Sequence, residues 1–238
     1  AQASVGANPN DYTKKIMLDR FDKVKEDIYF AAKTTGMDMG DLTAIASIES
    51  DLRVSADNRH SSASGMLQHT KGTWNSDRKA YHQKLGLASN VKRNDPRASL
   101  LIGGAGLQNA KAYIVERTHL TENQVLLGDQ YMTHFLGQDM AVRVINSKSS
   151  TPMNRLVVIS KGNWSMFVKP NGQVRTAREF RLYLDQLLKR EKAFYAKEVT
   201  MFAAAKQREE AVQQFNDIYS EHMTSAIANT QKYIGWSS

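Results

Sequence analysis

"IESDLRVSADNRHSSASGMLQHTKGTW", Ile48 to Trp74, decides how the chain is read. It begins at the end of an apolar helical run, "DLTAIASIES" (Asp41 to Ser50). There Leu42, Ile45 and Glu49 fall at i, i+3 and i+7, a spacing that puts them on one helix face. That face is apolar except for Glu49, so its carboxylate is expected to point inward. A carboxylate so placed loses hydration, which favours its neutral form. The negative end of the helix dipole pushes the same way. A glutamate that keeps its proton near neutral pH is what a general acid needs. The competing reading is a boundary glutamate turned out to solvent. Asp41 is the expected N-cap of this helix. Residues Ser50 to Gly65 read as an irregular, serine-rich loop that ends in the glycine-led "GMLQ".

Upstream, Ala1 to about Asp11 reads as a flexible lead-in, with Gly6, Asn8 and Pro9 as breakers. Ile16, Phe21, Val24, Ile28 and Ala31 recur at helix-compatible spacing, which predicts a helix over Tyr12 to Lys33. Downstream, a short helix is expected near Lys71 to Leu85. Pro96 suits the first turn of a long apolar helix. Gly103, Gly104 and Gly106 lie inside it, each costing ~1 kcal/mol relative to alanine, and close helix packing is the expected compensation. A phosphate loop is not indicated, since no strand precedes the glycines and no "GK[ST]" follows. "TENQVLLGDQYMTHFLG" predicts a helix pair, with Thr121 and Gln124 placed for a capping box. Ala141 to Thr176 is less regular, and Pro170-Asn171-Gly172 marks a turn or small hairpin. From Thr176 the chain reads helical almost to its end. Leu184, Leu187, Leu188, Tyr195, Val199 and Phe202 form one stripe, and Val212, Phe215, Ile218, Tyr219 and Met223 are expected to continue it on a second helix. The expected class is mostly α.

The chain has 238 residues, 41% hydrophobic and 24% charged, enough for one sizeable domain with an appendage. It has no cysteine, which excludes disulfides, thiolate metal sites and Cys-His dyads. No apolar stretch is long enough for a transmembrane helix. The six histidines show no i,i+4 pair and no H-E-x-x-H, so no metal site is expected. No G-x-S-x-G supports serine-hydrolase chemistry. The net charge of +8 draws the protein toward polyanions: nucleic acid, anionic membrane or an acidic cell wall. The basic residues are dispersed and form no arginine-rich arm, which weighs against nucleic acid.

Several blocks in order resemble the lytic transglycosylase and goose-type lysozyme superfamily. The first is Glu49-Ser50, followed by Gly65-Met66-Leu67-Gln68, similar to that family's catalytic "ES" and its "G-x-x-Q". Ser61 to Trp74 resembles the "SSA-x-G-x-x-Q-F-x-x-x-T-W" of a phage-type subgroup, with His69 where phenylalanine is usual. Asp95 to Ser99 ("DPRAS") looks like the segment opening a core helix. Tyr131 to Gly137 ("YMTHFLG") is similar to "Y-L-A-H-F-L-G", and the stretch from Asn163 to Leu184 resembles the subgroup's ending. The resemblance covers about Gly36 to Leu184. It implies a lysozyme-like helical domain over residues 12–184, followed by a C-terminal helical extension over 185–238.

The resemblance also implies cleavage of the β-1,4 bond between N-acetylmuramic acid and N-acetylglucosamine in peptidoglycan. Glu49 is the implied catalytic residue, first acid and then base toward the muramoyl C6 hydroxyl, leaving a 1,6-anhydro end without a cofactor. Ser50, Gln68, Tyr131 and Met66 are the implied substrate-side residues. Gln68 would contact sugar or orient the carboxylate, the Tyr131 hydroxyl would face Glu49, and Met66 would lie in the cleft wall or core. His69 and Trp74 are expected to pack, and His134 to be a buried, hydrogen-bonded histidine rather than a base. A conventional glycosidase needs two carboxylates. Asp51 points off the face of Glu49, and Asp57 reads as a turn-stabilising residue. The intramolecular route is therefore preferred, with simple hydrolysis as the alternative.

Peptidoglycan lies outside the cytoplasm, and "AQASVGANPNDY" has no apolar signal core. A phage virion or tail protein that opens the host wall during DNA entry reconciles the two; a bacterial periplasmic protein is the alternative. The C-terminal helices would then contact other virion proteins. A non-catalytic virion module and a basic nucleic-acid binder remain as readings from other classes.

Overall fold

A computed structural model describes residues 5–235, and the chain is mostly helical. The helices are α1 (Asp11–Thr35), α2 (Met39–Ser50), α3 (Lys71–Tyr81), α4 (Pro96–Arg117), α5 (Leu127–Leu136), α6 (Gln138–Asn146), α7 (Trp164–Phe167) and α8 (Ala177–Gly235). Single-turn 3₁₀ helices lie at Glu122–Gln124, Met153–Arg155 and Lys161–Asn163. Among the described residues there is no strand longer than an isolated bridge. One of these bridges, Val168 with Val174, makes the turn at Gly172 a small hairpin. The chain forms two compact units, one through Ala196 and one from Lys197 onward.

In the first unit, α2 is the central element. Leu42, Ala44, Ile45, Ala46 and Ile48 are all buried, so this helix is covered almost all round rather than on one stripe. Each large apolar side chain sealed this way contributes roughly 1.5–3 kcal/mol. Asp38, not Asp41, caps it: the Asp38 carboxylate accepts from the Asp41 amide at 2.9 Å. Asp41 sits in the first turn instead and pairs with Lys192 at 2.8 Å. The N-cap must lie outside the helical turn it closes, and the helix begins at Met39.

The glycines of α4 mark close approaches. A Cβ on Gly104 would lie 2.9 Å from the Thr35 hydroxyl of α1, and one on Gly103 would lie 2.1 Å from Leu67. The helix therefore gives up helix propensity to let α1 and the "GMLQ" segment press against it.

Several boundaries differ from the sequence expectation. Helix α3 stops at Tyr81 rather than Leu85, because Gly86 adopts φ +69° and the Leu87 amide turns back to the His82 carbonyl at 2.8 Å. The expected irregular stretch after Ala141 is still helical through Asn146. Val5 is buried, so the described part of the lead-in is tied down; residues 1–4 lie outside the described residues. The first unit runs past Leu184 to Ala196, because Leu187, Leu188, Glu191 and Tyr195 are all buried in it.

From Lys197 onward the chain is a continuation of α8, not a second helix. No glycine or proline occurs between Ala177 and Ile234 to break it. In this unit Val212, Phe215, Ile218, Tyr219 and Met223 are exposed. No helix among the described residues is long and apolar enough to cross a membrane.

Glu191 sits fully buried behind α2, where the Ser47 hydroxyl donates to it at 2.5 Å and also lies 2.8 Å from the Tyr195 hydroxyl. Burial raises its carboxyl above the ordinary 4.5, against the pull of Ser47, the Val5 amide and Arg190. The folded chain therefore holds this proton more tightly than the unfolded chain, and stability falls as pH rises from 4.5 through the raised value. Denaturant unfolding at several pH values should show Glu191→Gln losing this decline, so that its advantage over the parent grows above pH 4.5. Parallel curves for the two proteins would contradict the assignment.

Candidate active site

Glu49 is the penultimate residue of α2, and its side chain is 10% exposed. The Tyr131 hydroxyl, from α5, donates a short hydrogen bond to Glu49 Oε1. Tyr131 is itself fully buried. Burial, first, and then the neighbouring Glu49 charge hold its phenol well above the ordinary tyrosine range. It therefore remains a hydrogen-bond donor at any working pH. Across the carboxylate, His134 Nε2 lies 4.0 Å from Glu49 Oε2. The same nitrogen is 2.6 Å from the Leu67 carbonyl, which can only accept, so the proton is on Nε2. The ring is thus fixed by backbone.

Helix α5 is anchored so that it can present these two side chains. The buried Asp129 carboxylate receives two bonds from Arg181 of α8, at 2.7 and 2.8 Å, and caps the Leu126 amide at 3.0 Å. The Gly128 amide donates to Asp185 at 3.2 Å. Gln130 reaches the Leu107 carbonyl of α4 at 3.0 Å. Behind Tyr131, stacked rings of Phe135, Phe167 and Phe180 continue into the core, with centroid spacings of 6.0, 6.0 and 4.7 Å.

The loop from Asp51 to Thr70 is closed by its own backbone. Asp51 and Leu52 turn off the end of α2 with φ of 55° and 57°. Gly65 has φ +84°, and a Cβ there would lie 2.1 Å from the Arg93 carbonyl, so the glycine is obligatory on both counts. Gln68 adopts φ 52°, and its side-chain nitrogen donates to the Ala56 carbonyl at 2.7 Å and the Gly65 carbonyl at 3.0 Å. Both of its donors are spent on the loop, and only its oxygen remains to meet a ligand.

Two implied substrate residues are corrected. Ser50 is buried, and its hydroxyl donates back to the Ala46 carbonyl at 3.0 Å within α2. Met66 is completely buried. Both follow from the packing of α2 and "GMLQ" into the centre of the unit. Asp57 accepts from the Ser64 hydroxyl at 2.7 Å and serves the loop, and Asp51 pairs with Arg53 at 3.8 Å. Trp74 is buried with Ala98 and Ile102, its indole N–H donating to the Val91 carbonyl at 3.2 Å.

A cleft of about 590 Å³ opens beside His134, between α3 and the α4–α5 wall. Glu49 is not in its lining; His134 is the side chain that belongs to both. Asp77 of α3 faces this cleft. Sequence reasoning passed over Asp77 because it searched for carboxylates near Glu49 in the chain, and Asp77 comes into the neighbourhood of His134 only through space. The only signal available was its place one helical turn after Trp74, on a helix that the Trp74 anchor orients.

Compared with protein-family models and with curated proteins, the chain matches none.

His69 packs edge-on against both Trp74 and His134, with ring centroids 5.2 Å away in each case. Neither of its ring nitrogens has a hydrogen-bond partner. Burial, then the His134 and Arg93 charges, hold it well below the ordinary 6.5, so it is neutral in the folded chain. As pH falls below 6.5 the unfolded chain takes up this proton and the folded chain does not, and stability drops. His69→Phe should remove that share of the acid loss in pH-dependent thermal unfolding; an unchanged acid limb would refute the neutral, buried assignment.

Proposed function

We propose that this chain is a peptidoglycan lytic transglycosylase with a lysozyme-like helical domain, in which Glu49 is the catalytic acid and base. The observation that carries this reading is the hydrogen bond from a buried phenol to a carboxylate that is nearly sealed from water. Tyr131 occupies Oε1, which leaves Oε2 to address the substrate. Protonated at Oε2, Glu49 donates to the oxygen leaving C1 of the muramoyl residue, and the C1–O bond breaks. The resulting carboxylate then takes the proton of the muramoyl C6 hydroxyl as that oxygen bonds to C1. Glu49 ends protonated, and the product carries a 1,6-anhydro ring. Tyr131 assists because its hydrogen bond strengthens when Glu49 becomes charged between the two steps.

The motif order supports a phage-type enzyme carried on the virion or tail and acting at the host wall, with the C-terminal helix contacting other particle proteins. A bacterial periplasmic protein is the alternative setting. A muramidase that hydrolyses the same bond is the second reading.

Glu49→Gln should abolish clearing in a peptidoglycan zymogram, with the rate down at least about a hundredfold. Retained clearing would reject the site. Product mass spectrometry separates the two chemistries, since anhydro ends are lighter than reducing ends by one water; reducing ends alone would replace the transglycosylase by the hydrolase. Tyr131→Phe should slow turnover by about ten- to a hundredfold, the worth of one hydrogen bond to a charged group. An unaffected rate in a folded variant would remove Tyr131 from the mechanism.

A further inference from the structure

The cleft next to His134 differs in charge from the rest of this protein. The chain carries a net charge of +8, yet no lysine or arginine lines the cleft. Its titratable side chains are Asp77 and Tyr81 from α3, His134 from α5 and His69 from the preceding loop; α4 and α6 contribute none. Asp77 is half-buried and makes no hydrogen bond or ion pair among the described residues. Gly106 of α4 lies opposite it, where even an added Cβ would stand 3.7 Å from Asp77 Oδ2. The Asn109 amide donates to the Tyr81 hydroxyl at 2.6 Å and holds α4 and α3 together along the cleft. An acceptor-rich wall without lysine or arginine is poorly suited to phosphate or nucleic acid. It suits a neutral ligand with many donors. The volume, about 590 Å³, lies within the ~300–1,000 Å³ usual for small-ligand sites.

We propose that Asp77 is a substrate-binding residue, its carboxylate accepting hydrogen bonds from the hydroxyl and amide N–H groups of an N-acetylated amino-sugar chain lying in this cleft. This rests on the glycan-cleaving reading and extends it: the chain passes His134 and presents its next bond to Glu49. A carboxylate left bare and partly desolvated in the free protein is stabilised when those donors arrive. Burial also raises Asp77 above the ordinary 3.8, opposed by His134. Glycan affinity therefore has a component that grows as pH rises through that raised value and the carboxylate ionises.

The test uses the full chain carrying Glu49→Gln, so that bound sugar is not cleaved, and a hexamer of N-acetylglucosamine as the probe in calorimetric titration. Asp77→Ala is expected to weaken binding by about ten- to a hundredfold. Asp77→Asn, which keeps the volume but loses the charge, is expected to weaken it less and to lose the acid-side pH component. With Glu49 intact, both variants should raise KM and leave kcat within about twofold, as expected when binding common to ground and transition state is removed. Unchanged affinity in both variants overturns the proposal, as does an affinity loss that follows a fall in Tm, or a parent chain that does not bind the hexamer. If cleavage depends on Glu49 while Asp77 variants bind normally, this inference fails alone. If binding depends on Asp77 and no cleavage occurs, the binding site stands and the transglycosylase reading fails.

Discussion

One hydrogen bond joins two helices whose residues are 82 positions apart: the Tyr131 phenol on the Glu49 carboxylate. The rest of the first unit is arranged so that this bond can form in near-complete isolation from water. Helix α2 is buried on almost all sides, which leaves its two ends as the places where a carboxylate can reach a surface, Asp41 in the first turn and Glu49 in the last. Helix α5 must then hold a phenol there without slack. The Asp129–Arg181 pair fixes its first turn, and the stacked rings behind Tyr131 block it from sliding along its axis. A buried ion pair of this kind adds little net stability when compared with an apolar replacement. What it contributes here is position, because losing either partner would leave a charge stranded under α5.

The same logic explains the tight glycines. Gly103 lets Leu67 sit directly on α4, and Leu67 presents the carbonyl that holds His134. A side chain at position 103 would push Leu67 outward, and the imidazole with it. The helix propensity that α4 gives up at a residue remote from the carboxylate therefore sets the distance between His134 and Glu49.

Much of this was legible in the sequence, for identifiable reasons. Helical periodicity located α1, α2 and α4, and the Thr121–Gln124 capping box is present as expected, around a 3₁₀ turn. The inward carboxylate of Glu49 followed from its place on an apolar face. Other features depend on contacts that no local pattern encodes. Asp38 caps α2 rather than Asp41, because two acceptable caps stood three residues apart and packing chose the register. Ser50 and Met66 lie in motif positions, yet their side chains are sealed in, since position in a motif does not show which way a side chain faces. Gln68 holds the loop with the same amide donors that were expected to meet sugar. Asp77 was invisible because its relation to His134 exists only after α3 folds back across α4. The continuity of α8 was a matter of absent breakers, which the stripe analysis did not weigh.

The loop that carries Gln68 is stitched shut by the pairing of Asp57 with Ser64 and of Ser64 with His69, and by the Asn58 amide on the Ala63 carbonyl at 3.1 Å. Beyond those stitches, Asn58 to Ser61 project into solvent. The ends of the segment are therefore held at a set separation whatever lies between them. That tip is where the chain can accept extra residues, a tag or a foreign recognition peptide at little entropic cost, since lengthening a closed loop costs only slowly more. It gives the domain a variable fingertip mechanically insulated from the segment that carries Gln68.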